Sequence, residues 1–164
     1  MENDTRSAPT LVIGYGNPSR GDDALGPMAI EAVERLAAAH PEWGEVEVLT
    51  DFQLQVEFVT DLVGRKRIVF IDAAASGPEP CSIEPLQAER DASFTSHAVS
   101  PASLLAAFRS FQGEDAPPSY LLGIRGYAFD LGAPLSAGAQ RNLDAALAML
   151  EQWLAAQCAA PCDA

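Results

Sequence analysis

The strongest constraint on the fold is an alternation of short apolar runs with stretches of helical periodicity. Residues 10–15 (TLVIGY) and 67–73 (RIVFIDA) are dominated by apolar side chains over the length of a strand, as expected of strands buried on both faces of a sheet. Between them, apolar residues from Leu25 to Leu36 recur at helical spacing. This alternation predicts an α/β fold, a single-domain three-layer sandwich with a mainly parallel twisted sheet of about five strands and helices on both faces.

The rest of the chain continues the same pattern. With 164 residues it has the size of one domain, which we expect over 1–164, with flexible tails at 1–9 and 157–164. Asp22 or Asp23 is expected to cap the first helix, because carboxylates accept hydrogen bonds from the first turn. The remaining predicted elements are strands over residues 46–49, 82–86 and 119–127, and helices over 54–63, from Ser100 onward, and over 143–154.

Charge and cysteine usage exclude several classes of protein. The net charge of −13 opposes binding to nucleic acid and to anionic membranes. The N-terminus lacks the apolar segment of a signal peptide, and no apolar run reaches the ~18 residues of a membrane-spanning helix. An odd number of cysteines favours a reducing compartment. These observations predict a cytoplasmic protein, which we expect to be monomeric. The sequence leaves open the role of Cys158 and Cys162, whose spacing is only a weak metal-site signal.

Polar residues collect where the predicted strands end. In a parallel sheet these ends share one edge, at which ligands bind. Carboxylates that meet there repel one another unless protons or a cation intervene, and an added histidine would suit a divalent metal. Each acid could instead cap a helix or a turn, and the residue types do not choose among zinc, magnesium and nickel. The strand-end residues are Asn17, Asp22, Asp23, Asp51, Gln53 and Asp72.

The chain has two histidines. His40 precedes a proline at the end of the first predicted helix, where we expect a surface residue that interacts with the helix C-terminus. His97 lies in the loop FTSHAVSP, just before another helix. It is either a ligand of the strand-end site or a solvated loop residue, and its spacing does not decide between these.

The opening motif GYGNPSRGDD fits poorly to other known sites. It is not a dinucleotide-binding fingerprint, because Ser19 occupies the third glycine position and the acidic pair would repel a pyrophosphate. A Walker P-loop and a serine-hydrolase elbow are both absent from the sequence. GYGNP also resembles the GLGNP opening of peptidyl-tRNA hydrolases. However, no histidine follows it closely, and the acidic charge opposes RNA binding.

Taken together, four motifs in order resemble the hydrogenase maturation endopeptidases, which trim the C-terminus of the large subunit of nickel-iron hydrogenases. The resemblance covers roughly residues 10–155. Within it, the GDD and TDFQL forms look most like the branch that serves bidirectional, NAD-reducing-type hydrogenases. The motifs are LVIGYGNPSRGDDALG, TDFQL, RIVFIDA and TSHAVSPASLL.

The resemblance implies an endopeptidase of the aspartyl type whose partner is a nickel-loaded large-subunit precursor. Asp23, Asp72 and His97 would be the catalytic residues and the ligands of a nickel ion that the substrate presents. Many relatives carry glutamate at the position of Asp23. Asp22 would cap or support the site. Asp51, together with Asn17 and Gln53, would contact substrate.

Two further functions are compatible with the same sequence. A binding or chaperone module could keep the fold and sense nickel without cleaving the precursor. An unrelated small α/β hydrolase would need no nickel.

Overall fold

The described part of this protein, residues 7–90 and 99–159 of a computed structural model, contains five strands, three α-helices and three 3₁₀ segments. The strands are β1 (Thr10–Tyr15), β2 (Val46–Asp51), β3 (Arg67–Ala74), β4 (Cys81–Leu86) and β5 (Ser119–Arg125). The α-helices are α1 (Leu25–Ala39), α2 (Pro101–Gln112) and α3 (Ala137–Ala159). The 3₁₀ segments are Gly21–Ala24, Pro41–Trp43 and Val56–Leu62.

The strands form one sheet in the order β2-β1-β3-β5-β4. Strand β1 pairs in parallel with both β2 and β3, so that Gly14 lies opposite Thr50 on one side and Ile71 on the other. Strand β5 is parallel to β3, and β4 is antiparallel to β5 at the edge of the sheet. The four parallel strands therefore end at one side of the sheet, called here the carboxyl edge.

Helices cover both faces of the sheet. On one face, Val12 and Ile71 pack in a cluster with residues of α1 and α3. On the other face, Leu11 and Phe70 pack with residues of α2 and of the 3₁₀ segment Val56–Leu62. The three-layer α/β fold and the mainly parallel sheet predicted from the sequence are thus confirmed.

Glycines let α1 lie directly against β1. A Cβ atom on Gly26 would be 2.3 Å from the carbonyl oxygen of Tyr15. A Cβ atom on Gly14 would be 2.5 Å from the carbonyl oxygen of Gly26. Real Cβ atoms do not approach so closely, so any side chain at either position would push the helix off the strand. The two glycines bring the first turn of α1 to the carboxyl edge.

The start of α1 differs from the prediction. The 3₁₀ turn Gly21–Ala24 precedes the helix, Ala24 occupies the N-cap position, and no side chain caps either segment. Neither Asp22 nor Asp23 therefore caps α1, because both carboxylates accept hydrogen bonds from loops instead. By contrast, Ser100 caps α2, which begins where the sequence predicts a helix, and its hydroxyl oxygen accepts a hydrogen bond from Ser103 N at 3.1 Å.

Backbone contacts or helical structure reach into both predicted tails. The carbonyl oxygen of Pro9 accepts hydrogen bonds from the backbone N–H groups of Lys66 and Arg67. Helix α3 continues to Ala159, which includes Cys158. Cys162 lies outside the described residues. No helix in the described ranges is long and apolar enough to cross a membrane.

Candidate functional site

The alternation of side chains along the strands brings polar residues together at the carboxyl edge. Leu11 and Ile13 of β1 face α2, so Tyr15 continues on that face. Phe70 of β3 faces the same way, and Asp72 follows it two residues later. Tyr15 and Asp72 therefore lie side by side on neighbouring strands, where the two apolar rows end.

The surroundings of Asp72 strongly perturb its ionisation. Burial raises the pKa of its carboxyl group to about 6, and the negative charge of Asp23 adds to this effect. Hydrogen bonds from the Tyr15 hydroxyl and from the Ala73 N–H oppose it only in part. A carboxyl group with this pKa can exchange a proton with solvent near neutral pH, and it would lose that proton to solvent when a cation binds.

Tyr15 acts as a hydrogen-bond donor to Asp72. Burial raises the pKa of its hydroxyl group far above the usual value, and the charges of Asp72 and Asp23 raise it further. The phenol therefore keeps its proton at neutral pH and offers it to the Asp72 carboxylate. This hydrogen bond from the buried Tyr15 orients the Asp72 carboxylate.

Asp23 is held by the loop that follows β1. Its Oδ2 accepts a hydrogen bond from Asn17 N at 2.7 Å. Gly16 makes this closeness possible, because a Cβ atom there would lie 2.0 Å from the carbonyl oxygen of Asp23. Gly16 also has φ of 148°, a value that favours glycine. The structure brings Asp23 and Asp72 together, as predicted. They lie close enough for the charge of Asp23 to raise the pKa of Asp72.

Asp22 has a structural role. Its side chain is fully buried and accepts hydrogen bonds from the backbone N–H groups of Tyr127 at 2.6 Å and Ala128 at 3.0 Å. Ser136 donates to it twice, from its N–H and from its hydroxyl group, each at 2.7 Å. Burial alone would raise the pKa of Asp22, but these four hydrogen bonds lower it below the usual value. Asp22 therefore stays ionised and ties the loop after β5 to the start of α1.

The residues predicted to contact substrate lie along the same edge. The Asp51 carboxylate accepts a hydrogen bond from Phe52 N at 2.6 Å, while Gln53 is exposed in the loop beyond it. The Asn17 side chain accepts a hydrogen bond from Ser19 N at 2.9 Å, which shapes the loop after β1. Asn17 therefore positions Asp23 through its backbone, and its side chain is engaged within its own loop.

The structure describes only one of the two histidines, His40. His97 lies outside the described residues, so its predicted role as a ligand stays a prediction. Val99, two residues later in the sequence, donates a backbone hydrogen bond to Leu54 O at 3.1 Å, close to the end of β2. The prediction for His40, a surface residue that interacts with the helix C-terminus, is met only in part, because its side chain is 29% exposed and its contacts are with other side chains. His40 stacks on Trp43 at 4.4 Å between ring centres, and its Nδ1 lies 2.7 Å from Glu42 Oε1.

Among residues 7–90 and 99–159, no group of three or more His, Cys, Asp or Glu side chains is arranged to hold a metal ion. Asp23 and Asp72 supply two carboxylates, and a complete site would need at least one further ligand. Carboxylate oxygens suit hard and borderline divalent cations. The cysteines Cys81 and Cys158 are free thiols.

Sequence reasoning missed Tyr15 and Ser136. Tyr15 could have been found from the two-residue period of β1, which carries its side chain to the face shared with Asp72. Ser136 gives no such signal, because 114 positions separate it from Asp22. Only the return of the chain after β5 brings these two residues together.

The sequence matches no protein-family model and no curated protein. The fold, in contrast, is similar to several solved structures. The [NiFe] hydrogenase maturation protease HycI from Thermococcus kodakarensis matches with a TM-score of 0.67 and 19% identity, over 90% of this chain and 94% of that one. The hydrogenase maturating endopeptidase HybD from E. coli matches with a TM-score of 0.67 and 24% identity, over 90% and 93%.

A third structure, the endopeptidase HycI from Escherichia coli, matches with a TM-score of 0.61 and 21% identity, over 88% of this chain and 90% of that one. At these identities the likeness establishes a common fold over nearly the whole of each chain. It does not show that these proteins share the chemistry of the site, which depends on individual side chains.

Proposed function

We propose that this protein is an endopeptidase that removes a C-terminal peptide from the nickel-loaded precursor of a [NiFe] hydrogenase large subunit. The observation that carries the proposal is the pairing of Asp23 with Asp72 at the carboxyl edge of this fold. The solved structures of similar fold include the [NiFe] hydrogenase maturation protease HycI and the hydrogenase maturating endopeptidase HybD. The four motifs of the sequence point to the same activity.

In this proposal Asp23, Asp72 and His97 bind a nickel ion that the precursor presents, and they recognise it before cleavage. Two carboxylates and one imidazole, without thiolates, would hold free nickel only modestly. A nickel ion on a docked protein gains from a high effective concentration, so the same weak site suffices for recognition. Tyr15 orients Asp72 by its hydrogen bond, and the loop of Asn17 orients Asp23.

The proposal also covers the type of hydrogenase that is processed, the oligomeric state of the protein and its compartment. We propose a precursor of the bidirectional, NAD-reducing type as the substrate, on the strength of the GDD and TDFQL motifs. We also propose that the protein acts as a monomer in the cytoplasm. The free thiols of Cys81 and Cys158 are in keeping with a reducing compartment.

The test is an intact-mass assay on purified nickel-loaded and nickel-free precursors from several hydrogenase types. We expect only the nickel-loaded form to lose a C-terminal peptide, and the NAD-reducing type to be cleaved fastest. Cleavage of both forms would overturn the recognition of nickel. If no precursor changes mass, the protein is not a processing endopeptidase. Stable binding without cleavage would then favour the nickel-sensing module.

Two variants connect the activity to the site. Asp23→Asn preserves shape but removes a charge, and we expect it to lower cleavage at least about 100-fold. Asp144→Asn on α3 is the matched control, since it removes an exposed carboxylate whose neighbour is Gln140. We expect His97→Ala to abolish processing while the melting temperature stays unchanged. Normal processing by His97→Ala would remove His97 from the proposed site.

A further inference from the structure

Exposed apolar side chains lie in loops at the carboxyl edge, the edge that also carries the candidate site. Phe52 has 65% of its surface exposed and Leu131 has 68%. Pro18 is exposed in the loop after β1. Each of the three follows a different parallel strand at the carboxyl edge, namely β1, β2 or β5. Together Pro18, Phe52 and Leu131 are called here the apolar rim.

Backbone hydrogen bonds tie the loops of the apolar rim to one another. Gly16 N donates to Asp51 O at 3.1 Å, which joins the loop of Pro18 to that of Phe52. Gly132 N donates to Ser19 O at 2.7 Å, which joins the loop of Pro18 to that of Leu131. The three loops that carry the rim are therefore joined in series along the carboxyl edge. These hydrogen bonds restrain the loops before a partner docks, which reduces the entropy that docking costs.

The charges beside the rim are mainly negative. Asp23 and Asp51 border Pro18 and Phe52, and Asp130 precedes Leu131 in the sequence. Arg20 is the basic residue of the same loops in the described part of the chain. A complementary partner surface would thus present apolar side chains flanked by lysine or arginine.

Single exposed apolar residues are common and need no special explanation. The rim differs because its members come from three loops that are hydrogen-bonded in series at the edge that also carries Asp23 and Asp72. Phe111 offers a contrast, since it is 71% exposed at the far end of α2. Helix α2 starts near Leu54, at the carboxyl edge, and leads back to the opposite end of β5.

We propose that the apolar rim is the docking surface for the folded body of the precursor, which presents apolar side chains flanked by basic ones. This inference rests on the proposed function and assigns to it a recognition surface separate from the acids. Docking at Pro18, Phe52 and Leu131 holds the precursor while Asp23 and Asp72 engage its nickel. Changes to the rim should therefore alter KM, whereas changes to the acids should alter the recognition of nickel and cleavage.

The test is steady-state cleavage of the nickel-loaded precursor that the wild-type protein cleaves, with Phe52→Ser, Leu131→Ser and the double variant. Loss of one buried aromatic or aliphatic contact should raise KM about tenfold with little change in kcat. Phe111→Ser is the matched control and should keep the wild-type KM. Melting temperatures verify that all variants are folded, since each replaces an exposed side chain.

Added salt supplies an independent measurement. Raising the salt concentration screens exposed charges and should raise the wild-type KM several-fold. An unchanged KM in Phe52→Ser and Leu131→Ser, with wild-type cleavage intact, would overturn the docking surface and leave the proposed function standing. An equal effect of Phe111→Ser would also overturn it. If the wild-type protein neither cleaves nor binds any precursor, both the function and the docking surface are wrong.

Discussion

The carboxylate of Asp22 accepts two hydrogen bonds from Ser136, one from its N–H and one from its hydroxyl group, each 2.7 Å long. Ser136 in turn receives a hydrogen bond on its hydroxyl oxygen from Ala139 N, at 3.1 Å, in the first turn of α3. One buried acid thus connects the turn before α1 to the beginning of α3. The acid beside it, Asp23, is left free to face the site.

This connection predicts that Asp22→Asn destabilises the fold. An amide has the size of the carboxylate, but its NH₂ group would face N–H and hydroxyl donors that need acceptors. Unsatisfied donors in a buried site cost about 2–4 kcal/mol in the free energy of unfolding. Urea denaturation measures this, and Asp130→Asn is the exposed control, with an expected change below about 0.5 kcal/mol. Equal stabilities of the two variants would contradict the structural role.

The raised pKa of Asp72 predicts an effect of pH on stability. The folded protein holds the Asp72 proton up to a pKa of about 6, whereas the unfolded chain releases it near the ordinary value of 3.8. Between these values the folded state binds more protons, so this group's contribution to stability falls as the pH rises. Above pH 6 Asp72 is ionised in both states, so the full cost of burying its charge lowers the free energy of unfolding.

Asp72→Asn removes this penalty, since an amide does not ionise. Relative to the wild-type protein, the variant should gain about 2 kcal/mol in the free energy of unfolding between pH 4 and pH 7. Its amide oxygen can still accept the hydrogen bond of Tyr15. Denaturation curves of both proteins at several pH values, without added metal, make the comparison. A constant difference would mean that the pKa of Asp72 is not raised.

The contact between α1 and β1 predicts that Gly26→Ala is destabilising. The added methyl group would lie 2.3 Å from the carbonyl oxygen of Tyr15, which is backbone and cannot rotate away. Separating helix and strand should cost about 3 kcal/mol. Gly123→Ala is the matched control, because its new atom would meet Ala74 at an ordinary 3.7 Å. Thermal unfolding of the two variants decides the matter, and equal melting temperatures would refute the close contact.

Arg65 lies just before β3, at the end of the sheet away from the carboxyl edge. We expect its replacement to cost more stability than the replacement of an exposed arginine. The Arg65 side chain is 4% exposed and donates hydrogen bonds to Asp61 O, Ala8 O and the Glu47 carboxylate. Arg65→Met should lower the free energy of unfolding by about 2–4 kcal/mol, because it leaves these acceptors without their donor.

The control is Arg109→Met, which removes an arginine that is 69% exposed and pairs with Asp115. Exposed ion pairs contribute at most about 1 kcal/mol, so this variant should be nearly as stable as the wild-type protein. Chemical denaturation compares the two. A similar loss in both variants would mean that burial does not set the strength of these interactions.

Most of the architecture could be predicted because it depends on local patterns. Buried strands such as RIVFIDA and the helical stripe from Leu25 to Leu36 carry their periodicity in consecutive residues. The convergence of Asp23 and Asp72 also followed, since parallel strands must end at one edge. A strand over residues 82–86 was predicted, but its place at the edge of the sheet and its antiparallel direction depend on its partner β5, which lies more than thirty residues later.

The roles of neighbouring acids could not be predicted in the same way. Asp22 and Asp23 are adjacent and identical in type, and the sequence alone offered both as caps. Their difference arises from what faces them, since Asp22 turns toward the loop after β5 and Asp23 toward Asn17. Two adjacent side chains on a turn point in different directions, and the residue types do not encode those directions.

The sequence by itself determined the order of strands and helices, the acidic surface and the edge at which polar residues collect, because periodicity, composition and chain direction are local properties. Tertiary structure alone decided that Asp22 anchors α3, that Tyr15 orients Asp72, and that burial raises the pKa of Asp72. Each of these depends on residues far apart in the chain that meet only when the sheet assembles. Hydrogen bonds and desolvation act through space over a few ångströms, and distance along the sequence does not measure that space.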